Sequence, residues 1–97
     1  MEILRTDYFD KWLVSLRDGK AKIKIVRRIE RAEQGNFGDH KQAEGPVWEM
    51  RIDYGPGYRL YYTRQDEMIY LLLCGGDKSS QKADIRVALE IWRYLNG

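Results

Sequence analysis

The 97 residues carry 17 Lys and Arg, 15 Asp and Glu and one His, a net charge of +2, with 43% hydrophobic and 33% charged residues. That balance excludes a disordered polyelectrolyte and suits one folded domain over residues 1–97. A single cysteine excludes an internal disulfide or a Cys₂ or Cys₄ zinc site, and no apolar run approaches the ~20 residues of a membrane span.

Met1-Glu2-Ile3-Leu4-Arg5 has no basic run leading into an apolar one, so no signal peptide is expected and the expected location is cytoplasmic. A weak strand is expected within Met1–Thr6. Phe9, Trp12, Leu13 and Leu16 then recur at i, i+3, i+4 and i+7, the spacing of one apolar helical stripe. Thr6 or Asp7 can cap its start, and Asp18-Gly19 is expected to end it. The spacing predicts a second helix over about 20–33, with Ile25, Val26, Ile29 and Ala32 inward and Lys20, Lys24, Arg27, Arg28 and Arg31 outward. Gly35 follows where a left-handed residue closes a helix. The short connection predicts an antiparallel helical hairpin.

After Gly38 the period changes to two. A weak strand is expected around His40–Ala43. From Val47 to Tyr54, Trp48, Met50, Ile52 and Tyr54 alternate with Val47, Glu49, Arg51 and Asp53, the pattern of a half-buried strand. Gly55-Pro56-Gly57 predicts a hairpin turn, and Tyr58–Thr63 the returning strand. Gln65-Asp66-Glu67 turns the chain into the apolar run Met68–Cys74, a central strand that Gly75-Gly76 is expected to break. Ile85, Ala88, Leu89, Trp92 and Leu95 mark a closing helix from about Ser80 to Asn96. The expected fold is α+β: an N-terminal helical hairpin, an antiparallel sheet meander and a C-terminal helix. All helices are expected on one face of the sheet.

The other face then carries the polar half of each alternation. In a regular hairpin register Glu49, Arg51, Arg59 and Tyr61 share that face, with Lys78 emerging from the next loop. Clustered guanidiniums match phosphate oxygens, and interleaved aromatics suit single-stranded RNA. The same pattern also fits a solvated face laced with cross-strand ion pairs. The basic helix stripe Lys24, Arg27, Arg28 and Arg31 fits either a solvated face or a contact with RNA or an acidic partner. Lys20–Arg31 holds six basic residues against one acidic.

His40 reads as a surface residue and Cys74 as a small buried hydrophobe. The three tryptophans read as core. Gly75-Gly76-Asp77-Lys78-Ser79-Ser80 places glycines, a lysine and hydroxyls before a helix, without the spacing of a nucleotide triphosphate loop. Asp77 and Asp84 are too few for a magnesium site, and no metal or other cofactor is expected.

The ordered segments Gly35-Asn36-Phe37-Gly38-Asp39, Glu49-Met50-Arg51-Ile52, Tyr54-Gly55-Pro56-Gly57-Tyr58-Arg59-Leu60-Tyr61-Tyr62, Leu72–Gln81 and Asp84-Ile85 resemble one family. It is the phage-derived, HigB-like "addiction module killer" branch of the RelE/ParE toxin superfamily, and the resemblance spans Phe9 to about Trp92. It implies a toxin of a type II toxin–antitoxin system, with the RelE-like fold outlined above. It further implies a metal-independent endoribonuclease that cuts mRNA in the ribosomal A site by 2′-OH attack. Implied partners are mRNA on the ribosome and a small helix-turn-helix antitoxin in a hetero-oligomer. Related branches poison DNA gyrase instead, and a non-catalytic RNA- or partner-binding module is the other alternative.

Carried onto this chain, the resemblance implies Arg51, Arg59, Tyr61 and Lys78 as site residues, with Lys41 on the preceding strand; for a 2′-OH attack, Glu49 is the carboxylate expected as base. Arg59 and Arg51 would stabilise the phosphorane, Lys78 the leaving oxygen, and Tyr61 would orient or stack a base. Arg59→Ala is expected to abolish growth arrest and leave the fold intact.

Overall fold

Thr6 forms the chain's first corner. In the computed structural model, which describes residues 1–97, its hydroxyl donates to Leu73 O at 2.6 Å and accepts from Phe9 N at 3.1 Å. One side chain thus ends β1 (Glu2–Arg5), caps α1 (Asp7–Ser15) and ties both to a distant strand. After three linking residues, α2 spans Gly19–Glu33. Asp18, expected to end the first helix, instead caps the second, its carboxylate accepting from Lys20 N at 3.0 Å and Ala21 N at 3.2 Å. Gly35, at φ +92°, ends α2 in a Schellman turn: Gly35 N donates to Ala32 O and Asn36 N to Arg31 O, both at 2.9 Å.

Four more strands follow: β2 (His40–Glu44), β3 (Val47–Ile52), β4 (Tyr58–Arg64) and β5 (Ile69–Asp77). A single 3₁₀ turn over Lys78–Ser80 leads into α3 (Gln81–Asn96). The sheet order is β1-β5-β4-β3-β2. β2 through β5 form the expected antiparallel meander, while β1 pairs in parallel with β5, Glu2 opposite Ile69, so the sheet is mixed. Gly55, at φ +56°, opens the β3–β4 turn, which Gly57 N closes onto Tyr54 O at 3.0 Å.

The helices do not share one face of the sheet. Phe9, Ala21, Ile25 and Ile29 from α1 and α2 bury one face with Met50, Ile52, Leu60, Tyr62 and Leu72. Ala88, Leu89 and Ile91 from α3 bury the other with Val47, Tyr61, Leu71, Leu73 and Cys74. The sheet supports two cores because Val47 and Tyr61 are apolar residues on the half expected to be polar, and the apolar run of β5 sends Leu71 and Leu73 to that face. Val26, expected inward on α2, is 40% exposed; Arg28 is buried on the helix in its place.

Gly75-Gly76 does not break β5, which continues to Asp77. A bulge shifts the register between the pairs Tyr61–Cys74 and Tyr62–Leu72. A methyl group on Gly75 would collide with the Trp12 ring, and one on Gly76 with the Asp84 carboxylate. Both glycines let helices approach the sheet backbone, one from each side.

Candidate functional site

β3 and β4 pair so that Glu49 faces Tyr61 and Arg51 faces Arg59. Partners opposite each other share a face, here the α3 side. The first row extends to Lys41 on β2 and Cys74 on β5, and the second to Gly76. The sheet therefore gathers Glu49, Arg51, Arg59, Tyr61 and Lys41 on one surface.

That surface is a floor beneath α3 and its leading turn, where an open face was expected. Glu49 is 1% exposed and Tyr61 is fully buried. Glu49 Oε2 lies 3.1 Å from Arg59 Nε, with the Arg59 side chain 12% exposed. The Nε–H does not point along that line, so the contact is Coulombic rather than an aligned hydrogen bond. Gln81, the first residue of α3, donates from Nε2 to Glu49 Oε1 at 3.4 Å. Gln81 had no expected role; its only sequence signal is its place just after the loop that carries Lys78.

Arg59 Nη1 donates to Gly57 O at 3.3 Å, and the same carbonyl accepts from Lys78 N at 2.8 Å. Gly57 thereby brings Lys78, exposed at the rim, beside Arg59. The loop is held by Asp77, which accepts from Ser79 N at 2.8 Å and Ser79 Oγ at 2.5 Å. The Ser79 hydroxyl and amide hold the Asp77 carboxyl below its ordinary pKa. Ser80 Oγ donates to Asp84 Oδ2 at 2.5 Å. Burial pushes the Asp84 carboxyl upward, against that hydrogen bond.

Arg51 is more open. Its Nη2 pairs with Asp39 Oδ1 at 3.1 Å, while its Nε is buried. Four buried polar atoms have no hydrogen-bond partner in the chain: Glu49 Oε2, Arg51 Nε, Arg59 Nε and Tyr61 Oη. All four belong to residues singled out from the sequence. Buried polar atoms are ordinarily satisfied; here Glu49 Oε2 and Arg59 Nε face each other as an ion pair, and Arg51 Nε and Tyr61 Oη are left without a partner in the chain. Burial, with the Glu49 and Asp84 charges beside it, raises the Tyr61 phenol far above its ordinary pKa, so it keeps its proton. A ring so enclosed does not stack on a base, which corrects the stacking role expected for Tyr61.

The basic stripe of α2 lies on the opposite face. Lys24, Arg27 and Arg31 are exposed and border a groove of about 650 Å³ between α2 and the end of β3. Lys24 Nζ sits 5.1 Å from the Tyr54 ring centroid. Arg28 also lines this groove but is not exposed like the others. It is 9% exposed and donates to Arg51 O at 2.6 Å, Phe37 O at 2.9 Å and Asp39 O at 3.2 Å. Its expected RNA-facing position is thus replaced by a brace between α2, the following loop and β3; burial lowers its pKa.

Cys74 is buried and its thiol is pushed up to about 12 by burial and the nearby Asp84 charge. No three His, Cys, Asp or Glu side chains are grouped to hold a metal ion. Trp48, expected in the core, is 38% exposed beyond the cover of the helices.

Residues 11–92 match the family described as phage-derived protein Gp49-like (DUF891). The chain is also similar to an uncharacterized protein of Haemophilus influenzae strain Rd, 48% identical over 88 residues. That match covers 91% of this chain and 89% of the relative.

Proposed function

Because this chain belongs to the phage-derived Gp49-like family, which is of the HigB or addiction-module-killer type, we propose that it is the toxin of a type II toxin–antitoxin pair. Its activity is metal-independent cleavage of mRNA on the ribosome, and a helix-turn-helix antitoxin restrains it. The observation that carries this reading is the gathering on one surface of the buried Glu49–Arg59 ion pair with Arg51 Nε and Tyr61 Oη, two buried polar atoms that form no hydrogen bond within the chain.

The chemistry follows from what each group can do. A phosphate entering beside Arg59 competes with Glu49 for the guanidinium, whose planar fork suits phosphate oxygens. Arg59 turning to the phosphate uncovers Glu49 Oε2, which takes the proton of the adjacent 2′-OH. The freed O2′ attacks phosphorus, the P–O5′ bond breaks, and a 2′,3′-cyclic phosphate remains. Arg51 and Arg59 stabilise the charge that develops on the phosphorane, and the buried Tyr61 ring forms the floor beneath them. Lys78 at the rim gives its proton to the leaving 5′-oxygen. Gln81 holds the Glu49 carboxylate in place. Lys41 and the exposed Lys24, Arg27 and Arg31 contact RNA phosphates away from the reacting atoms.

Arg59→Ala is a poor test of this site, because it strands the Glu49 carboxylate in a buried position. The better pair is Arg51→Ala, whose side chain is 35% exposed, and Arg59→Lys, which keeps a charge but loses the fork. Removing one fixed cation should slow cleavage by about 10²-fold or more. Primer extension on mRNA after induction, with and without translation, reads the result. Intact mRNA with defective DNA supercoiling would overturn the proposal in favour of gyrase inhibition. Ribosome binding without cleavage would overturn it in favour of a binding module.

A further inference from the structure

On the sheet face opposite Glu49 and Arg59, a cleft of about 300 Å³ is lined by Phe37, His40, Trp48, Tyr62, Arg64 and Tyr70. Its rings form a continuous set. Phe37 stacks on Tyr62 at 5.3 Å and 29°, and meets Tyr70 at 4.9 Å and His40 at 5.7 Å. His40 lies 6.1 Å from Trp48, which is 38% exposed. Tyr62, 4% exposed, belongs to the core beneath the helices, whereas Trp48, His40 and Arg64 are open to solvent.

The polar groups at this cleft share one electrical character. Arg64 is exposed and forms no salt bridge; only its Nε is engaged, donating to Asp66 O at 3.1 Å. His40 Nδ1 is 2.8 Å from Gly38 O, which can only accept. The Nδ1 proton is therefore fixed, and Nε2 is the acceptor of the neutral ring. None of the six lining residues is a carboxylate. Aromatic walls with a free guanidinium and no acid attract a flat group that carries a phosphate.

We propose that this cleft receives an unpaired nucleobase of single-stranded RNA, with Trp48 as the stacking platform and Arg64 holding the adjoining phosphate. Every base has a π-face, so such a platform binds without demanding one sequence, while His40 Nε2 can accept from an exocyclic amine. A protein side chain could fill the same walls but would leave Arg64 without a partner. The edge strand β2 connects the two surfaces. His40 and Lys41 are adjacent on it and face opposite sides of the sheet, so a strand bent around this edge touches the cleft and the candidate cleavage site together. The inference takes its RNA from the proposed function, yet assigns a surface that the cleavage chemistry does not use.

The test is the affinity of the whole protein for a fluorescent 2′-O-methyl oligoribonucleotide, read by anisotropy. This probe lacks the attacking hydroxyl and survives binding. Trp48→Ala and Arg64→Gln should each weaken binding by about tenfold, and Trp48→Phe should restore most of the loss. An oligonucleotide with abasic sites should bind the unaltered protein correspondingly weakly and be indifferent to Trp48→Ala. Arg64 is exposed, so Arg64→Gln and the abasic probe decide the matter even where Trp48→Ala fails to fold. Unchanged affinity in both variants, or equal binding of the abasic probe, overturns the assignment. So does loss of antitoxin binding in these variants with RNA affinity intact. Oligonucleotide binding with no mRNA cleavage by the unaltered protein would overturn the nuclease reading alone. Cleavage with both variants binding normally would overturn this one alone.

Discussion

Glu49 and Arg59 tie the stability of this chain to the chemistry proposed for it. One carboxylate, 1% exposed, faces one guanidinium at 3.1 Å. Breaking such a buried pair leaves an uncompensated charge, so Arg59→Ala should cost about 3 kcal/mol in urea denaturation. Glu49→Gln added to that variant should recover most of the loss, and a double-mutant cycle measures the coupling. Equal destabilisation by the single and double variants would show that packing, not charge, sets the cost. Cys74 gives a second residue-level expectation. With its thiol pushed up to about 12, only about one part in 10⁴ is thiolate at pH 8. Reaction with a disulfide reagent should therefore be slow in native protein, quicken as pH rises toward 12, and become immediate in urea. The residue types at the site were legible because strand alternation assigns faces without knowledge of what covers them. Burial was not legible, since Glu49 and Arg59 read as part of a polar face yet are 1% and 12% exposed once the chain is folded.

Element boundaries followed from local chemistry wherever the partner was close in sequence. Gly35, the Gly55-Pro56-Gly57 turn and the Arg51–Arg59 register all matched expectation, because each is set by residues within one hairpin or one helix end. Elements failed to match where distant atoms decide. Asp18 reads as a stop and acts as a start. Gly75 and Gly76 read as a break, yet lie within β5 because Trp12 and Asp84 press on its backbone from two sides. Gly75→Ala should cost about 1–3 kcal/mol by overpacking, and Trp12→Leu in the same chain should return part of it. Thermal unfolding monitored by circular dichroism checks this. A Gly75→Ala protein as stable as its parent would mean that the Trp12 ring yields freely.

For the whole molecule, the near-neutral charge conceals two basic surfaces on opposite faces, one on α2 and one around Arg51, Arg59 and Lys78. Neutralising Lys24, Arg27 and Arg31 together should make the slope of log affinity for RNA against log salt shallower by about two to three. An unchanged slope would mean that the α2 face lies in solvent when RNA is bound. The longest tie in the molecule sets a schedule as well as a shape. β1, made well before β5, is paired with it through Glu2 and Ile69, and Thr6 waits for the carbonyl of Leu73. Gln81, which steadies the Glu49 carboxylate, comes later still. Closing so long a loop is the slow part of folding such a topology. During synthesis, then, the hairpin bearing Glu49, Arg51 and Arg59 emerges without its lid or its flanking strand. The candidate site is therefore assembled only after β5 and α3 are made, so its residues are exposed and unordered while that part of the chain is still being translated.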